Sequence, residues 1–149
     1  MTLDWRELPL APEAIGLFEM VLEVSDLSAS EAFYAEALGL RVADRWEGER
    51  EAVFLALGKE GFLGLWPVET GGEQAIHQGR GGAHVHFAIR VPVGTLDQLQ
   101  ARLEMMGHDV EAGWEFGTGN RAMYLDDPDG NVVELTERVT LWDETAASE

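Results

Sequence analysis

The chain has no cysteine. That removes disulfides and thiolate chemistry together, and it fits a protein of the reducing cytoplasm. Nor is there an apolar run long enough to cross a bilayer, and the first residues (Asp4, Arg6, Glu7, Pro9) lack the apolar stretch of a signal peptide. The expectation is a cytoplasmic protein with no membrane partner. Basic residues are scarce: 10 Lys and Arg stand against 28 Asp and Glu, a formal net charge of −18. Nucleic acid and anionic membrane are bound by Lys and Arg that neutralise phosphate, so this charge excludes both classes of partner. Solubility is its plain meaning, and attraction of a cationic ligand or metal is the sharper one. There is no Ser–His–Asp signature, and Gly117-Thr118-Gly119-Asn120 lacks the helix and lysine of a phosphate loop.

What is present reads as globular: 46% hydrophobic and 26% charged residues in a chain of 149, enough for one domain-sized core or two half-size units sharing one. The second possibility is favoured by an internal repeat, offset by about seventy residues. Glu19-Met20-Val21-Leu22-Glu23-Val24 opens one copy and His86-Phe87-Ala88-Ile89-Arg90-Val91 the other. Each is followed by a helix-start signal, Ser28-x-x-Glu31 and Thr95-x-x-Gln98, and each helix ends near a glycine, Gly39 and Gly107. Trp46 and Trp114 each follow that glycine by seven residues. Phe54 precedes Gly64 by ten, as Tyr124 precedes Glu134.

Residues 1–16, with Pro9 and Pro12, read as an arm or short strand packed on the body. Strict alternation over Glu19–Val24 predicts a strand with Met20, Leu22 and Val24 on one face and Glu19, Val21 and Glu23 on the other. Ser28 is expected to cap a helix with its stripe at Ala29, Phe33 and Ala37. Strands are then predicted at Leu40–Trp46, Glu51–Leu57 and Gly61–Pro67. Gly71-Gly72 and Gly79-Arg80-Gly81-Gly82 bracket a connector. The second unit repeats the plan. His84, His86, Ala88 and Arg90 share a strand face, Thr95 caps a helix whose stripe is Leu96, Leu99, Leu103 and Met106, and three strands follow near Asp109–Trp114, Arg121–Leu125 and Asn131–Thr136. Asp127-Pro128-Asp129-Gly130-Asn131 is a tight turn between the last two. The small, acidic tail from Asp143 is expected to be loose. The expected architecture is α+β: one domain over residues 1–149, made of two repeated β-α-β-β-β modules (about 16–69 and 83–138, with the connector at 70–82). Together they form an open, curved sheet that encloses a cleft.

Parity places the chemistry. Glu19 and His86 occupy equivalent positions on the face opposite the helix, and Glu134 lies on that face of the last strand, where module one has Gly64. Two carboxylates neutralise a divalent cation, and one imidazole favours Fe, Mn, Ni, Co or Zn over Mg and Ca. Glu19, His86 and Glu134 are thus candidate ligands of one divalent metal ion, with glycine leaving the fourth position open to water or substrate. Each alone also reads as an ordinary strand residue; their coincidence at repeat-equivalent places carries the argument. Trp46, Phe62, Trp66, Trp114 and Tyr124, with His84 and Arg90, are candidate substrate contacts around a small-molecule pocket; the aromatics are equally compatible with plain sheet packing. His77 and His108 read as solvent-facing.

The segments Val24-Ser25-Asp26-Leu27-Ser28-Ala29-Ser30-Glu31-Ala32-Phe33-Tyr34 with Leu38-Gly39-Leu40, and Asp127-Pro128-Asp129-Gly130-Asn131-Val132-Val133-Glu134-Leu135, resemble the vicinal oxygen chelate superfamily, the glyoxalase/bleomycin-resistance/extradiol-dioxygenase fold, over about residues 16 to 138. The resemblance implies metal positions at Glu19, Gly64, His86 and Glu134 and chelation of a substrate with adjacent oxygens by one divalent ion. Alternatively, Glu19 or Glu134 becomes a general base if it detaches from the metal. Glyoxalase I has a ligand where Gly64 stands. Extradiol dioxygenases and fosfomycin-resistance transferases have histidine where Glu19 stands, although the latter match Tyr124 and Glu134 in spacing. Bleomycin-binding members need no metal and offer an acidic groove to a cationic drug. Two functions follow as expectations: a metal-dependent lyase- or dioxygenase-like enzyme on a small oxygenated metabolite, or a metal-independent, drug-sequestering protein. A homodimer is expected in either case, since an open cleft from one chain gains its second wall from another.

Overall fold

The computed structural model describes residues 17–68, 86–115 and 120–139. The N-terminal arm, the connector with His77 and His84, the Gly117–Gly119 link and the acidic tail lie outside the described residues. Module one is built from β1 (Glu19–Val24), α1 (Leu27–Glu31, continued by a π-helical turn at Ala32–Ala37), β2 (Val42–Trp46), β3 (Ala52–Leu57) and β4 (Gly61–Pro67). Module two follows with β5 (His86–Arg90), α2 (Leu96–Met105), β6 (Glu111–Glu115), β7 (Arg121–Asp126) and β8 (Val132–Thr136). Each module forms a four-stranded mixed sheet, in the orders β1-β4-β3-β2 and β5-β8-β7-β6. The strand pairing is equivalent: β1 runs parallel to β4, β5 runs parallel to β8, and the other neighbours are antiparallel. The internal repeat is therefore a repeat of structure. No helix among the described residues is long and apolar enough to cross a membrane.

The helix starts differ from the sequence expectation. Asp26, not Ser28, caps α1: its backbone is extended and its Oδ1 accepts from the Ala29 amide at 3.0 Å. An aspartate at the cap satisfies the first turn as well as a serine does, so the Ser28–Glu31 box is not formed. Glu31 instead grips the Arg45 guanidinium on β2 with both oxygens. The buried stripe also starts one residue later than expected, at i, i+3, i+4 and i+7 from Ser30. Ser30, Phe33, Tyr34 and Ala37 are buried, whereas Ala29 is exposed. Thr95 stands at the N-cap of α2, but its hydroxyl donates to the Pro92 carbonyl at 2.6 Å. The Leu96 amide is met by the buried Glu137 carboxylate at 2.9 Å. Met106, expected on the buried stripe, is 46% exposed because the helix ends at Met105.

One hydrophobic core serves both modules. Leu22, Val24, Phe33, Leu55 and Leu63 from module one join Leu96, Leu103, Met123, Val133 and Leu135 from module two. These residues lie on the helix-bearing faces of the two sheets. Both sheets thus turn that face toward a shared core, and their opposite, inner faces are directed away from it.

Polar contacts lock the modules in register. The Tyr34 hydroxyl donates to Asp127 Oδ2 at 2.7 Å, and the Ser25 amide donates to the Asp129 carboxylate at 3.1 Å. Arg102 donates to the Glu36 carbonyl at 2.7 Å, and the Phe33 ring meets His108 edge-on at 5.3 Å. His108, expected in solvent, is half-buried at this seam. Burial, then the charges of Asp127 and Asp129, push the Tyr34 phenol well above its ordinary range. A phenol in the unfolded chain ionises near pH 10, whereas folded Tyr34 keeps its proton beyond that. The contribution is fully present below pH 10 and is lost as pH rises further, by up to about 1.4 kcal/mol per pH unit. Urea midpoints measured from pH 8 to 11 should fall above pH 10, and Tyr34→Phe should remove about half of that fall, the raised Tyr124 phenol contributing the rest. An unchanged slope in the variant would contradict this assignment.

Candidate functional site

The inner face of sheet one is aromatic, with the Glu19 and Glu23 carboxylates along β1. Phe54 on β3 is paired with Gly64 on β4, and Phe62 is paired with Glu19 on β1. Trp46 lies 5.1 Å from Phe54 and 5.4 Å from Trp66 between ring centroids, and Phe18 and Phe54 meet Phe62 at 5.0 and 5.6 Å. All but the tilted Trp46–Phe54 pair are edge-to-face, the arrangement favoured by the ring quadrupole. A Cβ added at Gly64 would lie 3.3 Å from Trp66 Nε1 and 3.5 Å from Glu19 Oε1. The opening expected at the glycine is therefore already narrowed by the indole and the carboxylate. Where module two carries a potential ligand, module one has packed an aromatic ring.

The inner face of sheet two is the polar counterpart. His86 on β5 and Glu134 on β8 meet with Nε2 and Oε2 3.0 Å apart, although the Glu134 residue is only 9% exposed. Tyr124 on β7 is paired with Glu134 across the antiparallel ladder, and its ring stands perpendicular to His86 at 5.5 Å. Desolvation, then the charge of Glu134 and a hydrogen bond to it, push the Tyr124 phenol up to about 12. Trp114 packs edge-on against Tyr124 at 6.2 Å, and its Nε1 donates to Glu111 at 3.1 Å.

His86 and Glu134 are brought together as parity requires, and Glu19 sits at the equivalent place in module one. Among the described residues of one chain, however, no three His, Asp or Glu side chains form a group able to hold a metal ion. Glu19 does not join His86 and Glu134 within the chain. The physical reason is the shared core, which directs the two inner faces away from it and so keeps Glu19 off the other sheet's pair. Trp46, Phe62 and Trp66 gather on sheet one, and Trp114 and Tyr124 on sheet two. Arg90 lies at the last position of β5, two residues beyond Ala88 on the same face. His84 lies outside the described residues.

Residues 16–135 match the Glyoxalase/Bleomycin resistance protein/Dioxygenase superfamily. The chain belongs to that superfamily. It is 30% identical over 123 residues to virulence protein STM3117 of Salmonella typhimurium, covering 80% of this chain and 82% of that one. Among solved structures, the superfamily fold is shared with lactoylglutathione lyase from Agrobacterium tumefaciens, at a TM-score of 0.67, 26% identity, and 84% of this chain against 95% of that one. It is also shared with an integron cassette protein from the mobile metagenome of Halifax Harbour sewage outfall, at a TM-score of 0.66, 28% identity, and 84% against 100%. Within this superfamily member, sequence reasoning left three site-lining residues unassigned: Phe18, Phe54 and Glu111. Phe54 carried a signal, since its ten-residue spacing to Gly64 mirrors that of Tyr124 to Glu134. Phe18 precedes β1, where strand parity says nothing, and Glu111 lies beside a bulge in the β6–β7 register that breaks the alternation.

Proposed function

We propose that this protein is a divalent-metal-dependent enzyme, lyase- or dioxygenase-like, acting on a small oxygen-bearing molecule. The cleft forms where the sheet-one inner face of one copy meets the sheet-two inner face of a second. The observation that carries this reading is the 3.0 Å approach of His86 Nε2 to Glu134 Oε2. Two donors each about 2.1 Å from one ion, at roughly a right angle, stand about 3 Å from each other, so the pair fits a common cation. His86 and Glu134 would hold the ion, with Glu19 of the second copy as the third ligand. Imidazole with two carboxylates suits Fe, Mn, Ni, Co or Zn. When bound, such an ion supplies Lewis-acid polarisation to adjacent substrate oxygens. The chain's own part is to orient and shield the substrate. Trp46, Phe54, Phe62 and Trp66 offer an apolar wall, Trp114 and Tyr124 edge the polar side, and a carboxylate not engaged by the ion, Glu19 or Glu134, accepts a proton. Similarity to a lactoylglutathione lyase supports the lyase form.

Elemental analysis of protein purified without chelator is the test. We expect about one divalent ion per chain in the wild type and less than a tenth of that in His86→Ala. A metal-free wild type that stays metal-free on incubation with Mn, Ni, Co or Zn would end this reading. A second reading, metal-free binding of a cationic aromatic molecule, is favoured by the ring cluster around Glu19 and by the net charge of −18. It requires such compounds to raise the melting temperature in the presence of EDTA.

A further inference from the structure

We infer that Trp66 and Glu19 form a donor–acceptor pair that selects a ligand group able to accept and donate at once, a hydroxyl or a carboxamide. The inference deepens the reading above by naming the oxygen-bearing group of the ligand, and it does not need the ion. Gly64 on β4 is buried, and two polar tips converge over it. The position a Cβ would take there lies 3.3 Å from Trp66 Nε1 and 3.5 Å from Glu19 Oε1. The two atoms therefore stand at most about 7 Å apart, a gap that one hydroxyl or one amide spans with a hydrogen bond on each side. Among the described residues no hydrogen bond joins the indole to the carboxylate or engages either one elsewhere. The indole is held in place, since Trp46 and Phe54 stand edge-on to it with ring centroids 5.4 and 6.1 Å from its own.

The repeat supplies an internal contrast. Where β4 has Gly64 and Trp66, the equivalent strand β8 has Glu134 and Thr136. A long side chain at the first position goes with a small one at the second, and glycine at the first goes with an indole that reaches back over it. A Cβ at Gly64 would stand closer to Nε1 than such an atom ordinarily stands to any neighbour, so the glycine is what lets the N–H lie there. Ring packing alone would be served by phenylalanine, the residue at 54 and 62. An indole N–H only donates, and an ionised carboxylate only accepts. A ligand carboxylate accepts from Trp66 but meets the charge of Glu19, and a ligand ammonium donates to Glu19 but offers the indole nothing. A hydroxyl or a carboxamide satisfies both.

Titration of the protein in EDTA with benzamide, benzyl alcohol, benzoate and benzylammonium, followed by its indole and backbone N–H resonances, tests this. The four probes share one ring and differ in the polar group, and the indole signal lost in Trp66→Phe identifies Trp66. We expect millimolar benzamide and benzyl alcohol to shift that signal saturably. Trp66→Phe, which keeps a ring against Trp46 and Phe54, should weaken both by about threefold to tenfold, the worth of one neutral hydrogen bond. The same variant should leave benzylammonium unchanged, because an ammonium has nothing to accept with. Benzoate should bind weakest to the wild type and gain in Glu19→Gln, where benzyl alcohol loses. Gly64→Ala leaves Trp66 and Glu19 in the chain but parts their tips, so it should cost the same preference for amide and alcohol. A Trp66 signal that none of the probes moves, or benzamide and benzyl alcohol affinities unchanged by Trp66→Phe, would overturn the inference and leave the metal-dependent reading standing. A chain that binds no metal would end that reading and leave the selection by Trp66 and Glu19 intact.

Discussion

Asp127→Ala should cost about 3–5 kcal/mol of folding stability, the largest effect of any single polar substitution among the described residues. The carboxylate is only 4% exposed. It accepts from the Tyr34 hydroxyl at 2.7 Å, from the Asn131 amide and side-chain nitrogen at 2.8 Å each, and from the Asp129 amide at 2.9 Å. Truncation strands these donors together. Each buried donor left without a partner costs about 1–3 kcal/mol, and partial rescue by entering water brings the sum down to the figure given. Two of the consequences are structural. The turn between β7 and β8 loses the side chain that closes it, and module two loses its strongest tie to the π-helical turn of module one. Asp127→Asn keeps the shape but places an amide nitrogen against donors, so it should cost less than alanine yet more than Tyr34→Phe, which removes one bond. Urea unfolding at pH 7 with an unchanged m-value is the measurement. The Tyr34→Phe and Asp127→Ala losses should be strongly non-additive, because they share a bond. A loss below 1 kcal/mol for Asp127→Ala would show that the seam is held by apolar packing alone.

Glu19→Gln should weaken divalent-ion binding about a hundredfold, although within one chain Glu19 does not join the His86–Glu134 pair. Outer partners of a ligand already contribute tenfold to a hundredfold, and a direct anionic ligand contributes at least as much. Glutamine preserves the size of the side chain beside Gly64, so the fold of sheet one should be retained. The loss then reports charge and ligation, not packing. An affinity unchanged by Glu19→Gln would reduce the centre to His86 and Glu134 and remove sheet one from it.

Much of this architecture was legible in the residues because strand parity is a rigid rule. Alternation in Glu19–Val24 and His86–Val91 fixed which side chains face away from the helices, and equal spacing predicted that Phe54 would oppose Gly64 as Tyr124 opposes Glu134. The observed registers agree. The helix starts were less legible, because Asp26 and Ser28 are both good caps and the choice depends on how the chain leaves β1. The π-helical turn has no signature in hydrophobic periodicity, and the small residues Ala29, Ser30 and Ala32 left open which stripe is buried; it runs through Ser30 and Tyr34 and leaves Ala29 exposed. The Asp-Pro-Asp-Gly-Asn turn was plain as a turn, but its reach across the module seam to Tyr34, Ser25 and Ser30 is tertiary and had no local sign. Whether Glu19 meets His86 and Glu134 within one chain or from a second copy had no sign in the sequence. Parity says which face of a sheet a residue occupies and nothing about where that face points. Only the shared core, drawing both helix-bearing faces together, sends the two inner faces away from it.

That arrangement makes the central claim testable with two damaged proteins. His86→Ala retains Glu19, and Glu19→Gln retains His86 and Glu134, so each variant alone should bind almost no ion. Co-expressed in equal amounts and purified together, half of their dimers are hybrids carrying one intact site assembled from both chains. The measurement is the divalent-ion capacity of that mixture, expected at about a quarter of the wild-type capacity, with wild-type affinity. A mixture that binds no more than the two variants measured separately would contradict a centre shared between copies.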